Sequence, residues 1–181
     1  LCKESDKLHK ISIISRGASL GATWFLPQED TYTTSKRKFL DEVCGLLGGR
    51  AAEDLVFGEI TTGASSDLER ASQIVRHMAT KYGMGTNELG PVAYGEKQGS
   101  AFTGIEPHMA RNYSEETARA IDDFVRKTLD EQLKRAATML KKHEKKLHEL
   151  SKILLKKETM EVEEFVQEFE GKKDSKKKVV A

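Results

Sequence analysis

The segment TTGASSDLERA, from Thr61 to Ala71, ends a run of small residues on a carboxylate, Asp67, at what reads as the first turn of a helix. An acid there meets backbone N–H groups that lack intrahelical acceptors and the positive end of the helix dipole, worth roughly 0.3–1 kcal/mol. A carboxylate fixed in this way, after the Gly63-Ala64 turn, has two possible uses. It stabilises its own helix, or it coordinates a metal ion whose other ligands come from a different segment. Spacing alone leaves both open. Glu53, within LGGRAAED at Leu47 to Asp54, poses a similar choice. It is either a solvated helix acid or a carboxylate that hydrogen-bonds the far ring nitrogen of a metal-binding histidine.

The five histidines, His9, His77, His108, His143 and His148, form no H-x-x-x-H pair. No two of them therefore share a helix face at the spacing that binds a metal jointly. His143 and His148 lie in a lysine-rich stretch and read as solvated, whereas His77, among Ile74, Val75 and Met78, reads as core or boundary. Cys2 and Cys44 make no C-x-x-C pair, so their spacing shows neither a redox motif nor a cysteine zinc site. A reducing compartment is the simpler inference. Cys44, among Leu40, Val43, Leu46 and Leu47, reads as a buried thiol acting as a small hydrophobe. Trp24, Phe25 and Leu26, ahead of Pro27, read as core or edge-strand packing.

The elements that would position these groups are mainly helical. Two short apolar runs, one at Ile11, Ile13 and Ile14 and one at Ala22 to Leu26, predict a small sheet over residues 8–27. Thr34 or Ser35 can cap a helix through Phe39, Leu40, Val43, Leu46 and Leu47, which Ala51 to Phe57 could continue past Gly48-Gly49 as far as Gly58. A further helix starts at Ser65 or Ser66 and ends before Tyr82-Gly83. Residues 83–113 read as a long surface loop or two short edge strands. From Ser114, apolar residues recur every three or four positions to Leu140, a helix of about seven turns. A second helix through Leu147, Leu150 and Leu154 follows, and Thr159 is expected to start a third. Residues 1–171 are thus expected to form one domain, with 172–181 a lysine-rich disordered tail.

At 181 residues and 38% apolar composition, the chain is long enough to bury a core. Its 30 Lys and Arg nearly cancel 29 Asp and Glu, a balance that disfavours a nucleic-acid binder relying on bulk electrostatics. No apolar run approaches the roughly 18 residues that would span a bilayer. The opening LCKESDKLHK shows no signal-peptide pattern, and the chain reads as an excised piece of something longer.

Taken in series, HKISIISRGASLGATWFLP, LGGRAAEDLVFG, TTGASSDLERA, YGMG, LGPVAY and LLKKETMEVEEF resemble the peptidase domain of FtsH-type ATP-dependent zinc metalloproteases over about residues 8–170. The resemblance implies a mainly α fold with a small N-terminal β-sheet (α+β). It also implies that Asp67 is the third zinc ligand, alongside two histidines of an H-E-x-x-H helix whose glutamate activates the bound water. Glu53 would support that site. The strand Leu20, Gly21, Ala22, Thr23, Trp24 and Phe25 would bind substrate through its main chain.

The H-E-x-x-H helix would fall a few residues before Leu1, and the chain does not contain it. The 181-residue chain alone is therefore expected to be inactive, with no catalytic residue of its own. The resemblance further implies zinc in the intact protein and ATP bound by a separate domain, for no G-x-x-x-x-G-K-[ST] loop occurs here. It implies unfolded or membrane protein substrates, a homo-hexamer, no nucleic acid, and membrane contact only through N-terminal segments outside the chain. The expected setting is a bacterial inner membrane or an organelle membrane, with this domain on the soluble side. A catalytically dead scaffold of the same fold is the alternative reading.

Overall fold

A computed structural model describes residues 1–15, 21–26, 33–98, 108–110 and 112–171. It divides into two compact units, one formed by Leu1–Ser5 and Thr33–Met139, the other by Asp6–Tyr32 and Leu140–Ala181.

In the first unit, helix α1 (Lys36–Leu46) begins where the Ser35 hydroxyl accepts the Lys38 N–H at 3.1 Å, so Ser35 and not Thr34 is the cap. The expected continuous helix breaks at Leu47, and α2 (Gly48–Phe57) follows as a separate element. Two adjacent glycines, each costing about 1 kcal/mol relative to Ala in a helix, weaken the join. Gly58 then ends α2 at φ 66°, a left-handed conformation that glycine adopts without penalty. A 3₁₀ turn, Thr62–Ala64, leads into α3 (Ser65–Thr80).

Helix α4 (Glu115–Lys142) supplies the facing surface, its buried Ala118, Ile121, Val125, Thr128, Gln132 and Ala136 following the helical period. The core joins Val43 and Leu47 to Ala71, Val75, Met78 and Ala79 of α3 and to Ile121, Phe124 and Val125 of α4. Residues 83–113 are not purely a surface loop. Leu89 is 3% exposed within that core, and the Tyr94 N–H donates to the Thr80 carbonyl at 2.7 Å. Strands β3 (Glu96–Gln98) and β4 (His108–Ala110) pair antiparallel, as the two-strand alternative expected.

In the second unit, β1 (Lys7–Ser12) and β2 (Ala22–Leu26) pair antiparallel as the two strands of the predicted small sheet, Lys10 opposite Trp24 and Ser12 opposite Ala22. A third strand completes the sheet. After α5 (Glu144–Lys157), Glu158 turns at φ 62°, and β5 (Thr159–Glu161) pairs with β1 in the order β2-β1-β5. Thr159 therefore starts a strand, and α6 (Val162–Glu170) begins only after Glu161. Met160, 2% exposed and opposite Ile11, gains more from burial against the sheet than another helical turn would supply.

His148 is exposed as expected. His143 is instead half-buried, its ring 5.5 Å from that of Phe169. Trp24, Phe25 and Leu26 are 37%, 55% and 54% exposed, so they are not buried in a core, and β2 lies at an end of the described sheet, as the edge-strand alternative expected. The predicted tail at 172–181 and Leu20 lie outside the described residues. Among the described residues no helix is long and apolar enough to cross a membrane.

Candidate functional site

Asp67 occupies the first turn of α3, and the way that turn is built explains its position. The helix has no side-chain cap, since Ala64 stands at the capping position, so its early N–H groups keep their partial positive charge for an acid nearby. Asp67 is half-buried, and among the described residues its carboxylate forms no hydrogen bond or ion pair. Its oxygens are thus uncommitted.

The turn ahead of it is held from α2. Both Glu53 carboxylate oxygens are taken by Thr61, one accepting its N–H at 3.2 Å and the other its hydroxyl at 3.0 Å. Thr61 in turn accepts the Gly63 N–H at 3.1 Å through its hydroxyl oxygen. A Cβ at Gly63 would lie 3.2 Å from the Thr61 hydroxyl oxygen and 3.3 Å from Glu53 Oε1. Glycine is what lets this chain of contacts close. Glu53 therefore anchors the loop that delivers Asp67. Thr61 was missed in the sequence, although a hydroxyl two residues before a glycine is a local turn signal.

The remaining chemistry-bearing residues do not gather around Asp67. His77, on the same helix, has a pKa lowered by burial, with Lys81 adding to the effect. Among the described residues no three His, Cys, Asp or Glu side chains converge as a metal site. A catalytic zinc takes three protein donors and keeps one open position, so the residues described here do not fit zinc by themselves. They offer one carboxylate of suitable chemistry.

Residues 1–167 match peptidase family M41. The chain belongs to that family. The M41 chain is 48% identical over 165 residues to the ATP-dependent zinc metalloprotease FtsH of Pseudothermotoga lettingae, covering 91% of the chain and 26% of the relative. It is 44% identical over 171 residues to ATP-dependent zinc metalloprotease FtsH 1 of a Thermoanaerobacter species, covering 94% of the chain and 28% of the relative. The Thermotoga maritima FtsH is 46% identical over 160 residues, 88% of the chain and 26% of the relative. The M41 chain thus spans about a quarter of the length of these curated relatives.

Proposed function

We propose that this chain is part of the proteolytic domain of an ATP-dependent, membrane-anchored zinc endopeptidase that degrades unfolded or damaged proteins, and that Asp67 is one of its metal ligands. The observation that carries the reading is an uncommitted carboxylate at an uncapped helix start, within an M41 chain, on a loop fastened by Glu53. A scaffold that had lost the chemistry would have no need to keep that acid free of partners.

Zinc, when held, supplies a Lewis acid and lowers the pKa of its bound water to about 7. This chain's own share is positional. Glu53 fixes Thr61, Thr61 fixes Gly63, and the turn sets where Asp67 leaves the backbone. In the other unit, β2 has one strand neighbour in the described sheet and exposed Trp24 and Phe25 side chains. This supports the reading of Gly21 to Phe25 as an edge to which a substrate strand adds through main-chain hydrogen bonds. The two histidines, the general base, the ATPase and the hexamer belong to the whole protein in this reading.

The test compares this chain with a longer one carrying the H-E-x-x-H helix upstream of Leu1. The 181-residue chain is expected to show no casein hydrolysis with added zinc, and the longer chain to show hydrolysis blocked by a chelator. In the longer chain, Asp67→Asn is expected to abolish both bound zinc and turnover. Glu53→Ala, which acts through the loop, is expected to weaken zinc affinity by about 10–100-fold. Full zinc occupancy and activity in Asp67→Asn would refute the ligand role, and chelator-sensitive turnover by the short chain would refute its inactivity.

A further inference from the structure

Helix α5, EKKLHELSKILLKK, carries five lysines against two glutamates in a chain whose formal net charge is only +1. The charge is sorted around the helix. Leu147, Leu150 and Leu154 share one side by their helical spacing, and all three are half-buried in the unit where α5 meets α6 and β5. Lys145, His148, Lys152 and Lys156 follow one another at intervals of three and four on the opposite side, and all four are exposed. Among the described residues, Lys145, Lys152 and Lys156 form no ion pair or hydrogen bond. The other two lysines are engaged. Lys146 meets Glu149 at 3.0 Å and donates to the Glu168 carbonyl at 3.1 Å, and Lys157 pairs with Glu164. Glu149 lies within a turn of both Lys145 and Lys152 but is drawn to Lys146, so a row of positive charge remains without an internal counterion.

We propose that this face of α5 is a docking surface for an extended, acidic stretch of polypeptide. The spacing fits such an occupant. Positions four apart on a helix rise by about 6 Å, and side chains on one side of an extended chain repeat about every 6.6 Å. His148, Lys152 and Lys156 thus stand in step with side chains at alternate residues of a strand-like segment, and Lys145 lengthens the row to about 16 Å. Each ammonium offers three donors on a flexible stem, which suits carboxylates held in loose geometry, and His148 adds a ring N–H donor to the same row.

Other polyanions fit this face less well. Sequence-tolerant binding of single-stranded nucleic acid uses aromatic side chains on which bases stack, and α5 holds no Phe, Tyr or Trp. A helix that lies in a lipid interface inserts its apolar side, whereas Leu147, Leu150 and Leu154 are half-buried within the unit and Leu155, 71% exposed, is the single large apolar side chain bordering the lysines. An unfolded polypeptide supplies both features the face calls for, an extended backbone and closely spaced carboxylates. In the proteolytic reading, on which this consequence alone rests, acidic segments of a substrate are retained on the same unit that carries β2.

The test follows, by fluorescence anisotropy, binding of a fluorescein-labelled peptide of alternating Glu and Ser to the 181-residue chain. It needs neither zinc nor catalysis, so its failure and that of the proteolytic reading are separately visible. Saturable binding is expected at about 50 mM salt, weakening at least about threefold at about 200 mM through screening. A triple variant, Lys145→Gln with Lys152→Gln and Lys156→Gln, is expected to lose at least about fivefold in affinity, while Arg at the same three positions retains it. Gln at Lys172, Lys173, Lys176, Lys177 and Lys178 is expected to leave affinity within about twofold. Circular dichroism establishes that each variant is folded, and should the triple Gln variant unfold, the single variants are read instead, each losing about twofold. No binding by the parent chain, unchanged affinity in the Gln variants of α5, or a loss confined to the tail variant overturns the proposal. Tighter capture of oligothymidylate, or of phosphatidylglycerol vesicles over phosphatidylcholine ones, abolished by the same α5 changes, overturns it in favour of nucleic acid or a membrane surface.

Discussion

Asp41 is 5% exposed and carries two jobs at once, accepting the Glu4 N–H and pairing with Arg135. Burial alone would raise its pKa, but the Glu4 N–H and the Arg135 guanidinium outweigh burial and hold it below the ordinary 3.8. A carboxyl depressed in the folded state binds its proton more tightly once unfolded. Its stabilisation is therefore complete above the unfolded value and is lost as pH falls through the lower folded one. Asp41→Asn is expected to cost about 1–2 kcal/mol at neutral pH, discounted because Arg135 keeps access to water, with the gap from the parent chain closing below about pH 4. Thermal melts of both chains across that range check it, and a gap independent of pH would sink the assignment. No sequence rule joins Asp41 to Arg135, because a pairing across two helices depends on where those helices cross. Glu53 is a similar case. Its position in LGGRAAED was legible, whereas its partner Thr61 became visible only when the loop folded back onto α2.

Among the elements, the junction of α5 and β5 departs most from the sequence expectation. Glu158 is the one described non-glycine residue with positive φ, at 62°, and it ends α5 with its N–H bonded to the Leu154 carbonyl at 2.7 Å. Its carbonyl is used by β1, accepting the Ile13 N–H at 2.9 Å and the Ser12 hydroxyl at 3.2 Å. The sheet thus holds a residue in a conformation that costs an L-amino acid roughly 1–2 kcal/mol. Glu158→Gly is expected to stabilise the chain by about 1 kcal/mol, since glycine removes that penalty at some cost in unfolded-state entropy. Urea unfolding measures the change, and a loss of stability would show that the Glu158 side chain contributes something not visible in its backbone bonds. The helices themselves were readable, because periodicity and caps act within a few residues of one another. The strand Thr159–Glu161 was not, since its partner in β1 lies at the other end of the chain.

At the scale of the whole molecule, the first unit depends on one apolar cluster in which Met78, Val75 and Ala71 are fully buried. Met78→Ala is expected to cost about 2–5 kcal/mol through lost burial and the cavity it leaves. Leu155→Ala, at a side chain 71% exposed, should change stability by less than about 0.5 kcal/mol. Chemical denaturation of both variants checks the contrast, and equal losses would mean the core has been placed wrongly. The sequence by itself determined the helical periods, the Gly58 boundary, the placement of Asp67 at a helix start and, through motifs in series, membership of family M41. Each of these is written in residues that neighbour one another along the chain. Only the tertiary structure decided that β5 completes the sheet, that Glu53 holds Thr61, and that Asp41 pairs with Arg135. Those contacts join distant segments, and their partners are selected by the joint packing of helices and strands, a choice that no local pattern of residue types encodes.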